Sequence, residues 1–118
     1  MSSDSAIGEH ALSLPGAWPD SPWEDHTVAK VGPGERGKIF AFLGEGTVGV
    51  KAGATREEAD EWLHRYSDDA TVMAYMGRSG WSTLRTDGAI PLDELLDAVD
   101  ESYDRVVAKL PKRDRPTG

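Results

Sequence analysis

A chain of 118 residues supports one ordinary hydrophobic core and is too short for two. Its formal net charge of −8 repels nucleic acid on average, and the complete lack of cysteine excludes disulfides, zinc–thiolate sites and thiol nucleophiles together. No apolar run approaches the roughly 18 residues of a membrane span, and the acidic N-terminus "MSSDSAIGEH" lacks the positive charge of a signal peptide. The expectation is a cytoplasmic protein with a single domain over residues 1–111, a disordered tail over 112–118 and no membrane association.

Ser5 to Leu14 has a weak helical pattern, ended by Pro15 and Gly16. The stretch "GAWPDSPWEDH" that follows holds two tryptophans and two prolines and reads as a stiff link, its tryptophans capping one end of the core. "HTVAKVG" reads as a strand closed by the turn "GPGERG". "KIFAFLG" and "TVGVKA" then form a hairpin across a tight turn. Thr55 followed by Glu58 makes a capping box for a helix to Tyr66, with Ala59, Trp62, Leu63 and Tyr66 as its apolar stripe. "ATVMAYM" and "GWSTLRT" are two further strands.

The last element is a helix in which Leu92, Leu95, Leu96, Val99, Tyr103, Val106, Val107 and Leu110 recur at helical spacing. Pro91 suits its first turn, Asp93 and Glu94 complement the dipole at its start, and Lys109 does so at its end. This order gives an α+β fold: a two-layer sandwich with an antiparallel sheet of about five strands and helices on one face.

Charge is segregated by element. Carboxylates crowd the middle and last helices, whereas the strands hold Lys30, Lys38, Lys51 and Arg85, with Arg78 in a connecting turn. Strand parity separates an aliphatic set (Ile39, Ala41, Leu43, Val48, Val50, Val72, Ala74, Met76, Leu84) from a mixed set. The mixed set is Lys38, Phe40, Phe42, Thr47, Gly49, Lys51, Met73, Tyr75, Trp81, Thr83 and Arg85. With helices on the aliphatic set, the mixed face is open. Aromatics among cations suit nucleic acid, with Lys30, Lys38, Lys51, Arg78, Trp81 and Arg85 as its contacts. The same face also suits a protein partner or a homodimer mate. A third reading makes Phe40 and Phe42 the core.

"LSLPGAWPDSPW", "HTVAKVGPGERGKIFAFLG", "VGVKA", "GWSTL" and "IPLDELLDAVDESYDRVVAKLP" occur in an order that resembles the bacterial MmcQ/YjbR-like proteins, from about Ala11 to Pro111. The resemblance implies a fold similar to frataxin (CyaY-like). It also implies DNA binding, by analogy of that fold with winged modules, and carries no catalytic motif.

Other chemistry finds little support. Glu24, Asp25 and His26 are adjacent and cannot all face one ion, and His10 and His64 are remote in sequence. No metal or cofactor is expected. A small-ligand pocket under the Trp23–His26 loop, with Tyr75, stands as a third functional class. Ser102 lacks a glycine elbow and a histidine partner and reads as a packed hydroxyl bonded to a backbone carbonyl. The glycines of "GPGERG" lack the setting of a phosphate loop. The expected function is a non-enzymatic binding module.

Overall fold

The computed structural model describes residues 3–23, 26–74 and 76–116. Among them lie helices α1 (Ser3–Ser13), α2 (Arg56–Arg65) and α3 (Leu92–Lys109), and strands β1 (Ala17–Trp23), β2 (His26–Val31), β3 (Lys38–Leu43), β4 (Thr47–Lys51), β5 (Ala70–Val72) and β6 (Trp81–Arg85). The strands form one sheet in the order β1-β2-β3-β4-β6-β5, with every neighbouring pair antiparallel. The two-layer α+β architecture is the expected one. The described strands number six, not about five.

The additional strand is the link itself. Ala17, Trp18, Pro19 and Asp20 pair with Val31, Lys30, Ala29 and Val28, and the register shifts before Trp23 meets His26. Proline has no N–H for a ladder, so Pro19 and Pro22 are tolerated because β1 is an edge strand. The Trp18 indole donates to the Gly32 carbonyl at 2.9 Å and fastens this edge to the β2–β3 turn.

The helices pack on one face. Ala41, Val50 and Ser82 align across β3, β4 and β6, and Val48 aligns with Leu84; all five are buried. Ala41, Val48, Val50 and Leu84 meet Leu95, Val99 and Val106 of the α3 stripe in one core. Thr55 caps α2 as expected, its hydroxyl accepting from the Glu58 N–H at 3.2 Å. Asp4 in the first turn of α1 accepts from the Gly46 N–H at 2.9 Å and the Thr86 hydroxyl at 2.6 Å, tying the helix to the β3–β4 turn and the end of β6.

Phe40 breaks the parity assumed for β3. Ala29 pairs with Ala41 while Lys30 pairs with Ile39, so Phe40 is an extra residue in a β-bulge. One extra residue reverses the facing of everything beyond it. Phe40 therefore turns into the core, fully buried against the edge of Tyr103 at 5.2 Å, and Ile39 turns toward the opposite face.

Ser102 fits that irregularity. Its buried hydroxyl donates to the Phe40 carbonyl at 2.6 Å and accepts from the Lys51 N–H at 2.8 Å. Phe40 and Lys51 would be the next partners after Ala41 and Val50 in the β3–β4 ladder. The hydroxyl thus takes the place of a ladder bond. One residue later, the Tyr103 hydroxyl donates to the Pro15 carbonyl at 2.5 Å and holds the α1–β1 turn.

Residues 112–116 depart from the expected disordered tail. A 3-10 turn over Lys112–Asp114 buries Asp114, which accepts two hydrogen bonds from Arg36, each 3.1 Å long. Arg115 donates to the Leu110 and Ala108 carbonyls at 2.9 and 3.0 Å, satisfying acceptors that the end of α3 leaves free. Pro116 packs beside Gly16, where a Cβ would lie 3.0 Å from its Cγ.

Replacing Ser102 by Ala leaves the Phe40 carbonyl and the Lys51 N–H buried without their partner. The expected loss is about 1–3 kcal/mol of stability, read as a lower urea midpoint with unchanged m value.

Candidate functional site

On the face away from the helices, Phe42, Gly49 and Thr83 align across β3, β4 and β6 and line a trough of about 1290 Å³. Ile39, Thr47, Met73 and Met76 also line it. Five members of the expected open set therefore line this trough: Phe42, Thr47, Gly49, Met73 and Thr83. Trp81 packs against Phe42 edge to face, with ring centres 5.6 Å apart, and is only 6 % exposed. It offers little surface for stacking.

The expected cations are dispersed and mostly engaged. Lys30 pairs with Asp20 at 2.7 Å and lies 5.3 Å from the centre of the Trp18 ring. Lys51 donates to the Ser79 carbonyl at 2.8 Å. Burial, helped by the charges of Lys109 and Arg105, holds its ammonium below the ordinary lysine pKa. Arg85 pairs with Asp87 at 3.2 Å. Lys38 and Arg78 are exposed. Tyr75 and the side chains of Trp23 and His26 lie outside the described residues.

A different cluster of positive charge sits at the C-terminal end of α3. Residues 105–115 hold five Lys or Arg and one carboxylate, whereas residues 92–104 hold six carboxylates and no Lys or Arg. The one carboxylate, Asp114, is consumed by Arg36. Arg105 donates to the Lys51 carbonyl at 2.9 Å, which brings Lys51 to this end. Leu110 packs against Gly32, which brings the loop carrying Arg36 and, just beyond it, Lys38. The density of bases in 105–115 was visible in the sequence, but only folding of the tail makes it one surface.

Between α2 and α3 lies a cleft of about 460 Å³ lined by Glu58, Glu61, Glu94, Asp97 and Glu101. Arg65 pairs with Glu94 and lies over the rings of Trp62 and Tyr66, and the Tyr66 hydroxyl donates to Glu94 at 2.7 Å. The carboxylate and burial together raise the Tyr66 pKa. These contacts clip the two helices together. His10 likewise bonds Asp100 at 2.6 Å, joining α1 to α3. Among the described residues no three His, Asp or Glu converge as metal ligands, and no helix is long and apolar enough to cross a membrane.

The YjbR family model matches residues 12–105. The crystal structure of Deinococcus radiodurans protein DR2400, whose domain is designated DUF419, superposes with a TM-score of 0.84 at 19 % identity, covering 97 % of this chain and 86 % of that one. At that identity the likeness establishes the fold alone. No curated protein matches.

The Arg36–Asp114 pair gives the basic end a pH signature. Hydrogen bonding to Arg36, aided by its charge, holds the Asp114 carboxyl below the ordinary 3.8. A lowered carboxyl stabilises the fold fully above its ordinary value, and that contribution fades as pH falls through the lowered one. Asp114→Asn is expected to have a lower urea midpoint than the natural chain at about pH 6, with the gap narrowing below about pH 3.

Proposed function

This chain belongs to the YjbR family, and on that premise we propose that it is a cytoplasmic, non-enzymatic module that binds DNA through the basic end of α3. The observation that carries the reading is the separation of charge along one helix, which collects cations at one pole of a molecule of net charge −8. Lys109, Lys112 and Arg113 are exposed there, beside Arg36 and Lys38. The sheet face, where DNA contacts were first expected, offers less. Its cations are largely held by Asp20, Asp87 and a backbone carbonyl, and its tryptophan is buried.

Phosphates satisfy such a surface by charge alone, so the binding is expected to be weakly selective for sequence and strongly sensitive to salt. The acidic remainder of the molecule keeps contact confined to one end. A non-catalytic role accords with Ser102, whose hydroxyl is committed to two backbone groups.

Fluorescence anisotropy with a labelled DNA duplex tests the proposal. Binding is expected at about 50 mM salt, weakening steeply as salt rises. Lys109→Glu with Lys112→Glu is expected to reduce the salt slope by about 1–2, whereas Arg85→Glu on the sheet face leaves it nearly unchanged. Absence of binding at the low salt concentration overturns the reading. Loss on Arg85→Glu alone returns the site to the sheet.

A further inference from the structure

We infer that the trough on the sheet face away from the helices is a docking groove for an amphipathic helix of a partner protein, apolar on one side and carrying Lys or Arg where it meets the β3–β4 turn. The inference concerns a different surface from the basic pole and stands independently of it.

Size and shape come first. At about 1290 Å³, the trough exceeds the roughly 300–1,000 Å³ of pockets that enclose small molecules. An antiparallel sheet can leave one face to water, but Ile39, Phe42, Leu43, Met73 and Met76 make this lining apolar, and a helix laid in a groove is a recurrent cover for such a surface. An added strand is disfavoured. The β1 edge is interrupted by Pro19 and Pro22, and the β5 edge is three residues long. The occupant therefore approaches face-on.

The floor is built for a deformable contact. Gly49 sits mid-strand without a positive φ, so its backbone does not require glycine. What it supplies is space: a Cβ there would collide with Met73 Cε and lie 3.1 Å from Phe42 Cβ. Glycine weakens a strand interior and often marks a place where another group comes close. Met73 and Met76, both part-buried, are unbranched and polarizable, the kind of surface that re-packs around an incoming side chain.

Charge selects the partner. The ionisable groups on the described lining are Asp4 and Glu45, both acidic. Asp4 is engaged by Gly46 and Thr86, while Glu45 is exposed on the turn. Asp87 lies beside Gly46 at the same end, and the nearby Arg85 is paired to it. A basic helix end complements this rim. A second copy is disfavoured by like charge, since both molecules would carry a net charge of −8.

The test uses the full chain and a designed Leu/Lys peptide with an amphipathic helical pattern, alongside a scrambled isomer of identical composition. At about 150 mM salt, the patterned peptide is expected to bind at least ~10-fold tighter than its isomer. Met76→Lys is expected to remove about 10-fold of that affinity, and Glu45→Lys about 3-fold, with circular dichroism confirming the fold of each variant. Glu45 is on an exposed turn, so its variant carries the test if Met76→Lys fails to fold. Equal binding of both peptides overturns the inference, since net charge alone would then explain it. Binding that survives both substitutions overturns it by moving the site elsewhere. A dimer by sedimentation that Met76→Lys dissolves makes a second copy the occupant and also overturns it.

Discussion

The Ser102 hydroxyl sits where the β3–β4 ladder would otherwise make its next direct bond, between the Phe40 carbonyl and the Lys51 N–H. An unsatisfied backbone group at that depth would cost about 1–3 kcal/mol, so the bulge at Phe40 and the position of α3 are coupled. The bulge lets Phe40 enter the helix-facing core while Ile39 faces the other way. Tyr103, beside Ser102, packs on Phe40 and reaches the Pro15 carbonyl, so the same helical turn also fixes the entry to β1. The seating of α3, the composition of the core and the lining of the opposite trough all follow from this one junction.

The charge pattern of α3 is a helix property with consequences at the surface. Carboxylates near the N-terminus and cations near the C-terminus each favour the helix dipole. Here the pattern runs the length of an 18-residue helix and continues into the following turn. Arg115 caps the last carbonyls and Arg36 neutralises Asp114, so the tail is held against the domain and its remaining cations add to those of the helix. Local stabilisation and a polar molecular surface share one cause. The acidic cleft between α2 and α3 is the other half of the same separation, bridged by Arg65.

Much of the architecture was legible in the sequence because its signals are local. The α3 stripe, the Thr55 cap and the β3–β4 hairpin each rest on residues a few positions apart, and each formed where expected. Ser102 was readable as a hydroxyl bound to a carbonyl, since glycine elbow and histidine partner were both lacking. The trough was partly legible, through the parity of Phe42, Thr47, Gly49, Met73 and Thr83. Parity failed at Phe40 because a bulge is decided by a partner strand and, here, by a hydroxyl 62 residues away; it failed too at Leu43, Ala74 and Met76, expected beneath the helices but found lining the trough.

"GAWPDSPWEDH" shows the same division. Its prolines fixed local stiffness and excluded a central strand, which sequence alone determines because proline always lacks the N–H. That Ala17–Trp23 becomes an edge strand was decided by β2, which offers the paired register. The cations divide likewise. Sequence set their number and the run of bases in 105–115, while tertiary structure decided which remained available. Lys30, Lys51 and Arg85 are engaged by groups brought to them through strand pairing and turns, and the tail gained its place through an ion pair with Arg36. Propensity and periodicity are properties of short segments; ion pairs, bulges and free surfaces depend on contacts between distant ones, and only the folded chain brings those together.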